Sequence, residues 1–363
     1  MGIIRLLLAI SVVAVHSSAI LGTKFVGGEI AVEAFFIISG FYMTLILTEK
    51  YIGVNGSYKL FITNRLLKLY PIYWTVVLLI IFLSIGSLLA THGNFAGKFR
   101  AYVEYSRAYD NMSVFSWMFL VITNIILIGQ DVVMFMGLDA MTGKLYLTSD
   151  FRNTAPQLSS FLLVPQAWTL SLEIVFYLIA PFIVKRRIWL ILLLILLSLM
   201  LKRLLSYNGF DHDPWSYRFF PSEIMFFLLG AVAYKLYNLI KGKVLPRLAV
   251  IITLAIVVAQ IIFYDYYFIP YKQVIFFVSF FLSVPIIFYG TKDIKWDYRL
   301  GELSYPVYIS HMLLLYVIMN EKFPKIGSMG LTLAIFSISF AYLLNKFVQK
   351  PIERFRQKRL KAI

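Results

Sequence analysis

At 363 residues, 60% of them hydrophobic and only 14% charged, the chain is far poorer in charge than a soluble domain, where about 25% of residues carry one. It contains no cysteine, which excludes disulfides, thiol catalysis and cysteine-ligated metals. A net charge of +16 suits basic loops on one side of a membrane better than a nucleic-acid partner, because Lys and Arg concentrate in cytoplasmic loops.

Apolar runs such as 188–201 and 249–263 predict an all-α fold, a polytopic transmembrane helical bundle, since a transmembrane barrel shows short alternating strands instead. In chain order the expected spans are 3–21, 30–48, 71–90, 168–184, 188–201, 219–237, 248–265, 273–290, 302–319 and 329–347, about ten helices in a single integral domain over 1–363. With both termini in the cytoplasm, most of the 34 Lys and Arg fall on the inner side, as the positive-inside rule requires. The stretch 114–136 is also apolar enough to cross. A span there would carry Lys185, Arg186 and Arg187 outside, so it is expected to be re-entrant or surface-lying and packed against protein. The region 91–167 then forms the largest exterior part.

Arg5 and His16 lie eleven positions apart in the first span. Eleven residues make about three helical turns, so both side chains share one face, separated by a rise of about 16 Å. Ionisable groups inside a span are costly and face a protein interior or a watery cavity. An imidazole titrates near neutrality, so His16 is the candidate base or nucleophile. Two acids, Glu33 and Glu173, sit just inside their spans at a similar expected depth. A carboxylate beside an imidazole fixes its tautomer and balances its charge. On the inner side Arg65 and Lys68 are three apart, on one helical face. With Arg5 they form a candidate cationic mouth for phosphates. Pro306 and His311 mark the ninth span, and a kinking proline is tolerated there near sites. Asp211, His212 and Asp213 are read as a solvated turn, because adjacent residues rarely converge on one ion. No metal is therefore expected. His92 is read as a loop residue. Tyr102, Tyr105, Tyr109, Trp215 and Tyr217 in the external segments are candidates for stacking on sugars or for an interfacial aromatic belt.

These motifs, in this order, resemble those of the bacterial acyltransferase-3 family of membrane-bound acyltransferases. The likeness runs from Arg5 to about Arg354. Arg5 and His16 resemble an arginine–ten residues–histidine signature. Glu33 to Phe41 is similar to an acid-x-Phe-Phe-x-Ile-Ser-Gly-Phe block that contains Ser39. Arg65, Lys68, Pro71, Tyr73 and Trp74 resemble a basic loop entering the third span. Trp168 to Tyr177 resembles a Trp-Ser-Leu-x-x-Glu-x-x-Phe-Tyr element. Arg218, Glu223 and Gly230 are similar to a later block, and Ser304 to His311, with Tyr305, to a last one. Ala31, Glu33 and Lys68 depart from the usual residues at their positions, and lysine keeps charge but loses the bidentate fork.

The resemblance implies a bacterial inner-membrane enzyme. It would move an acyl group, most often acetyl, from cytoplasmic acetyl-CoA or another acyl-CoA to a hydroxyl of an extracytoplasmic glycan. Arg5, Arg65 and Lys68 would hold the donor, with His16, Glu33 and Glu173 catalytic. Its partners would be the cell-surface glycan, the lipid bilayer and glycan assembly machinery. The readings that compete are a multi-pass transporter and an inactive scaffold of a glycan assembly or export system.

Overall fold

The computed structural model describes residues 1–52, 56–90, 111–319 and 323–361. Tyr102, Tyr105, Tyr109 and His92 lie outside them. The helices are α1 (Gly2–His16), α2 (Gly28–Glu49), α3 (Tyr58–Ala90), α4 (Val114–Ile126), α5 (Trp168–Ile183), α6 (Ile188–Tyr207), α7 (Phe220–Ile240), α8 (Arg247–Ile262), α9 (Lys272–Thr291), α10 (Lys295–Ile318), α11 (Met329–Leu344) and α12 (Lys350–Lys361). A π-helical turn, Asn345–Gln349, joins the last two. The chain is an all-α multi-pass membrane bundle. Seven segments, namely α2, α3, α5, α6, α7, α9 and the continuous run of α11 and α12, are long and apolar enough to cross a membrane. Of the three other expected spans, α1 and α8 are shorter. The third, α10, carries Lys295, Asp297, Arg299 and Glu302 in its first two turns.

Three boundaries differ from expectation in ways that shape the site. The first helix stops at His16, after 15 residues, about 22 Å of rise against a hydrocarbon core of about 30 Å. The chain then runs irregularly through a bridge between Ile20 and Thr23, so His16 terminates a helix. The supposed loop before the third span is helical: α3 runs unbroken through Pro71 from Tyr58, and Arg65 and Lys68 do share its face. Helix α6 continues past residue 201 to Tyr207, carrying Lys202 into the bundle, where two buried carboxylates receive it.

The stretch 114–136 is not a single helix long enough to cross a membrane. Helix α4 has 13 residues, about 20 Å, and its C-cap Leu127 and Gly129 turn the chain through positive φ. A helix end inside a membrane protein must have its last carbonyls satisfied by protein. Here α3 supplies the donors: Tyr70 to the Ile126 carbonyl, Tyr73 to Asn124 at 2.5 Å, and the Trp74 indole to Ile125 at 3.0 Å. A two-stranded antiparallel hairpin follows, Met136–Leu138 with Leu145–Leu147.

The centre of the bundle is α1, packed mainly on α10 and also on α2 and α11; α2 packs most extensively on α7. This arrangement sets the site between α1, α2, α3, α5 and α10. The end of the bundle that holds Met1, Arg5 and α12 is called basal below, and the end that holds His16 distal.

Candidate active site

A cavity of about 450 Å³ enters from the basal end and runs up between α1, α2, α3, α5 and α10. Six cationic side chains line it, Arg5, Lys50, Arg65, Lys68, Lys292 and Arg356, against four carboxylates, Glu173, Asp297, Glu302 and Glu353. Asp297 is already engaged, by the Met1 ammonium at 2.5 Å and the Gly2 amide at 2.7 Å. Arg65 is buried, and its Nε has no hydrogen-bond partner among the described residues. Unpaired buried cations of this kind are unfavourable unless an anion joins them. Three of the six were legible in sequence. Lys50 and Lys292 ended spans and read as ordinary anchors, and Arg356 is brought in only by the course of the C-terminal segment.

Above the cations the walls are mostly uncharged, apart from the Glu173 carboxylate. Ser39, Tyr177, Tyr305 and Tyr308 line the cavity with Thr169 and Glu173. Tyr177 donates to Glu173 Oε2 at 3.0 Å, and Ser39 lies beside the same carboxylate. Tyr305 donates to the Leu69 carbonyl at 2.6 Å, which ties α10 to α3. The upper limit is a hydrogen-bonded layer. Tyr308 donates to the Gln166 carbonyl at 3.0 Å, Thr169 donates to Tyr308, and the Gln166 amide donates to the Ile309 carbonyl at 2.8 Å.

Directly beyond this layer lies a pair of histidines. The rings of His16 and His311 stack with centroids 5.1 Å apart and planes 14° apart, and Tyr308 is 6.0 Å from His311. His311 is fully buried, whereas His16 is exposed on the distal side. His311 Nδ1 lies 2.6 Å from the Tyr308 carbonyl. A carbonyl only accepts, so Nδ1 carries the proton and the neutral ring keeps its lone pair on Nε2. That nitrogen has no hydrogen-bond partner among the described residues.

The structure does not bring the two acids to His16. Among the described residues no hydrogen bond joins either to the imidazole. Glu33 and Glu223 are fully buried and share Lys202, at 2.7 and 2.9 Å. Gln273 donates to the second oxygen of Glu33 at 3.4 Å. Helix α2 thus turns Glu33 toward α6 and α7. Glu173 faces the basal cavity instead, within electrostatic range of Lys68 and Arg5. Sequence reasoning missed Lys202 because it sits at the end of an apolar run. The available signal was two intramembrane carboxylates with no assigned cation.

On the distal side Trp168, at the start of α5, packs under Arg218, whose guanidinium is 4.3 Å from the indole and within electrostatic range of His16. Asp213 clamps Arg218 through both its oxygens, pairs with Arg152 at 2.7 Å and accepts from Tyr217 at 3.2 Å. The expected solvated turn is therefore only partly so. Asp211 and His212 face solvent, but Asp213 is buried by the two arginines it holds. Burial alone would raise its pKa; the hydrogen bonds and charges of Arg218 and Arg152 outweigh that and hold it below the ordinary carboxylate value. Trp215 and Tyr217 are also committed, to the Ser149 carbonyl and to Trp168.

The arrangement joins a basal cationic cavity to a distal imidazole pair across one layer of side chains. Comparison with known proteins finds no matching curated protein and no matching solved structure. A family model described as an acyltransferase domain does match, over residues 1–346, nearly the whole chain. The chain belongs to the acyltransferase-3 family and is a multi-pass membrane acyltransferase.

Proposed function

We propose that this acyltransferase takes its acyl group, most simply acetyl, from acyl-CoA entering the basal cavity, and passes it to a glycan hydroxyl on the distal side. The observation that carries this reading is the cavity itself, polycationic at its mouth, lined above by hydroxyls and the one carboxylate of Glu173, and ending one side-chain layer below His16 and His311. Arg5, Arg65 and Lys68 suit the phosphates of the donor, Arg65 with its Nε free to donate. The long, uncharged pantetheine arm suits the Ser39, Tyr305 and Tyr308 walls.

His16 is the base. It takes the proton of the acceptor hydroxyl as that oxygen bonds to the acyl carbon. The carbon–sulfur bond breaks, and the proton passes from His16 to the leaving thiolate. His311 holds the ring of His16 by stacking and offers its Nε2 lone pair to a hydroxyl or water in the site. Glu33, paired through Lys202 with Glu223, fixes α2 against α6 and α7 rather than touching His16. Membrane orientation with the basal end in the cytoplasm completes the reading, in a bacterial inner membrane.

The test is glycan analysis by NMR and mass spectrometry in cells carrying wild-type protein or His16→Ala at matched membrane levels, with labelled acetyl-CoA supplied to isolated membranes. The expected result is loss of the O-acyl signal and of label transfer in the variant, by at least about 100-fold, the range of a general base. Retained transfer would remove His16 from the mechanism.

A further inference from the structure

The C-terminal helix α12 lies beyond the matched region, which ends at residue 346, yet it forms part of the cavity wall. Glu353, Arg356 and Gln357 of α12 line it, with Gln349 of the preceding turn. They recur at helical spacing on one face. The π-helical turn that ends at Gln349 leads into that face, and π-turns within helices are frequent at functional sites. A second tether holds the helix in place: Arg359 donates to Asn64 at 3.1 Å and to Thr63 at 2.9 Å, both on α3 next to Arg65.

Arg356 is buried, and its Nε has no hydrogen-bond partner among the described residues. Its Nη1 is held by Glu353 Oε2, one turn earlier. It stands within electrostatic range of both Arg65 and Lys68. Glu353 accepts from Gln357 at 2.5 Å on its other oxygen. Three buried or half-buried cations thus face one another, with Glu353 the carboxylate in direct contact with any of them among the described residues. A purely structural clamp would not gather like charges in this way, because burying them together without an anion is unfavourable.

We propose that Arg356 is a further phosphate-binding residue for the acyl-CoA donor, held ready by Glu353, so that the C-terminal helix is part of the donor site. Resting on the acyl-CoA reading above, it adds a residue from outside the matched region. When a phosphate arrives, the guanidinium donates to it through Nε and a terminal nitrogen, a bidentate geometry that lysine cannot reproduce. Glu353 competes with that phosphate for the same cation.

The competition gives a sign test. Calorimetric titration of CoA into the purified full-length protein measures the Kd for wild type, Arg356→Gln, Arg356→Lys and Glu353→Gln. Loss of one charge-assisted contact should weaken Arg356→Gln by roughly tenfold, with Arg356→Lys between it and wild type. Glu353→Gln should bind CoA as well as wild type or more tightly, since it removes the competing anion. If the pair only latches the helix, both neutral variants weaken binding alike, and that outcome overturns the proposal, as does an unchanged Kd in Arg356→Gln. Wild-type protein that fails to bind CoA would reject the donor reading itself, a distinguishable result. Should Arg356→Gln fail to fold, the direction of the Glu353→Gln effect still decides.

Discussion

Asp213 shows how one residue outside the membrane-spanning helices joins stability to the site. Its carboxylate holds Arg218 and Arg152 together, and Arg218 in turn covers Trp168 and stands within electrostatic range of His16. Burial opposes its ionised form and the two arginines favour it, with a folded pKa below the ordinary 3.8. A depressed acid contributes stability that is complete above its unfolded pKa and is lost as the pH falls through the folded value. Thermal unfolding of purified protein should therefore show a difference between wild type and Asp213→Asn that is constant from pH 7 down to about 5. It should then shrink as the wild type protonates below pH 4. Breaking a buried, doubly paired carboxylate should cost about 2–4 kcal/mol at neutral pH. A gap that stays constant to the lowest pH reached would mean that Asp213 is not the group linked to protons. In sequence, Arg5, His16, Arg65 and Lys68 were legible because a charge inside an apolar run is conspicuous. The stacking of His16 on His311 was not, since the two residues are nearly three hundred positions apart and nothing local encodes their meeting.

At the scale of elements, the contact between α2 and α7 fixes where Glu33 and Ser39 stand, and two glycines make it possible. A Cβ on Gly40 would strike the Phe227 carbonyl, and one on Gly230 the Ile37 carbonyl and the Phe41 amide. Close backbone approach through small residues is the usual route to tight helix pairs in membranes, where apolar surface gains nothing by leaving lipid. Gly230→Ala should therefore force the helices apart, lowering stability by about 1–3 kcal/mol and reducing acyl transfer as Ser39 and Glu33 shift with α2. Gly86→Ala is the matched control. Among the described residues a Cβ there meets nothing within 4 Å, so that variant should unfold at the wild-type temperature or slightly above it. Equal behaviour of the two variants would show that α2 and α7 are not held by close approach. Sequence periodicity located most of these helices, but it could not show that Tyr70, Tyr73 and Trp74 cap α4. Capping of this kind depends on a carbonyl some fifty residues away, and only the charge of Lys185, Arg186 and Arg187, which argued against a crossing at 114–136, hinted that a protein partner was needed.

For the whole molecule, the consequence of the fold is sidedness. The cavity with its six cations opens at one end of the bundle and His16 at the other, so the proposed reaction depends on which end meets the cytoplasm. Acyl-CoA, the proposed donor, is cytoplasmic, and among the described residues most Lys and Arg lie toward the basal end, as expected of a cytoplasmic face. The chain has no cysteine, so a single introduced thiol reports its own location without any background. Leu21, 83% exposed, lies just beyond His16, and Val244, 95% exposed, lies between α7 and α8 at the basal end. A membrane-impermeant maleimide should label Leu21→Cys in intact cells, once any outer barrier is opened. It should label Val244→Cys only after the inner membrane itself is breached. The reverse pattern would place the cationic cavity outside, away from acyl-CoA, and the donor would then have to be sought among extracytoplasmic phosphorylated acyl carriers. The labelling thus decides between two donors that the cavity's charge alone would accept equally well.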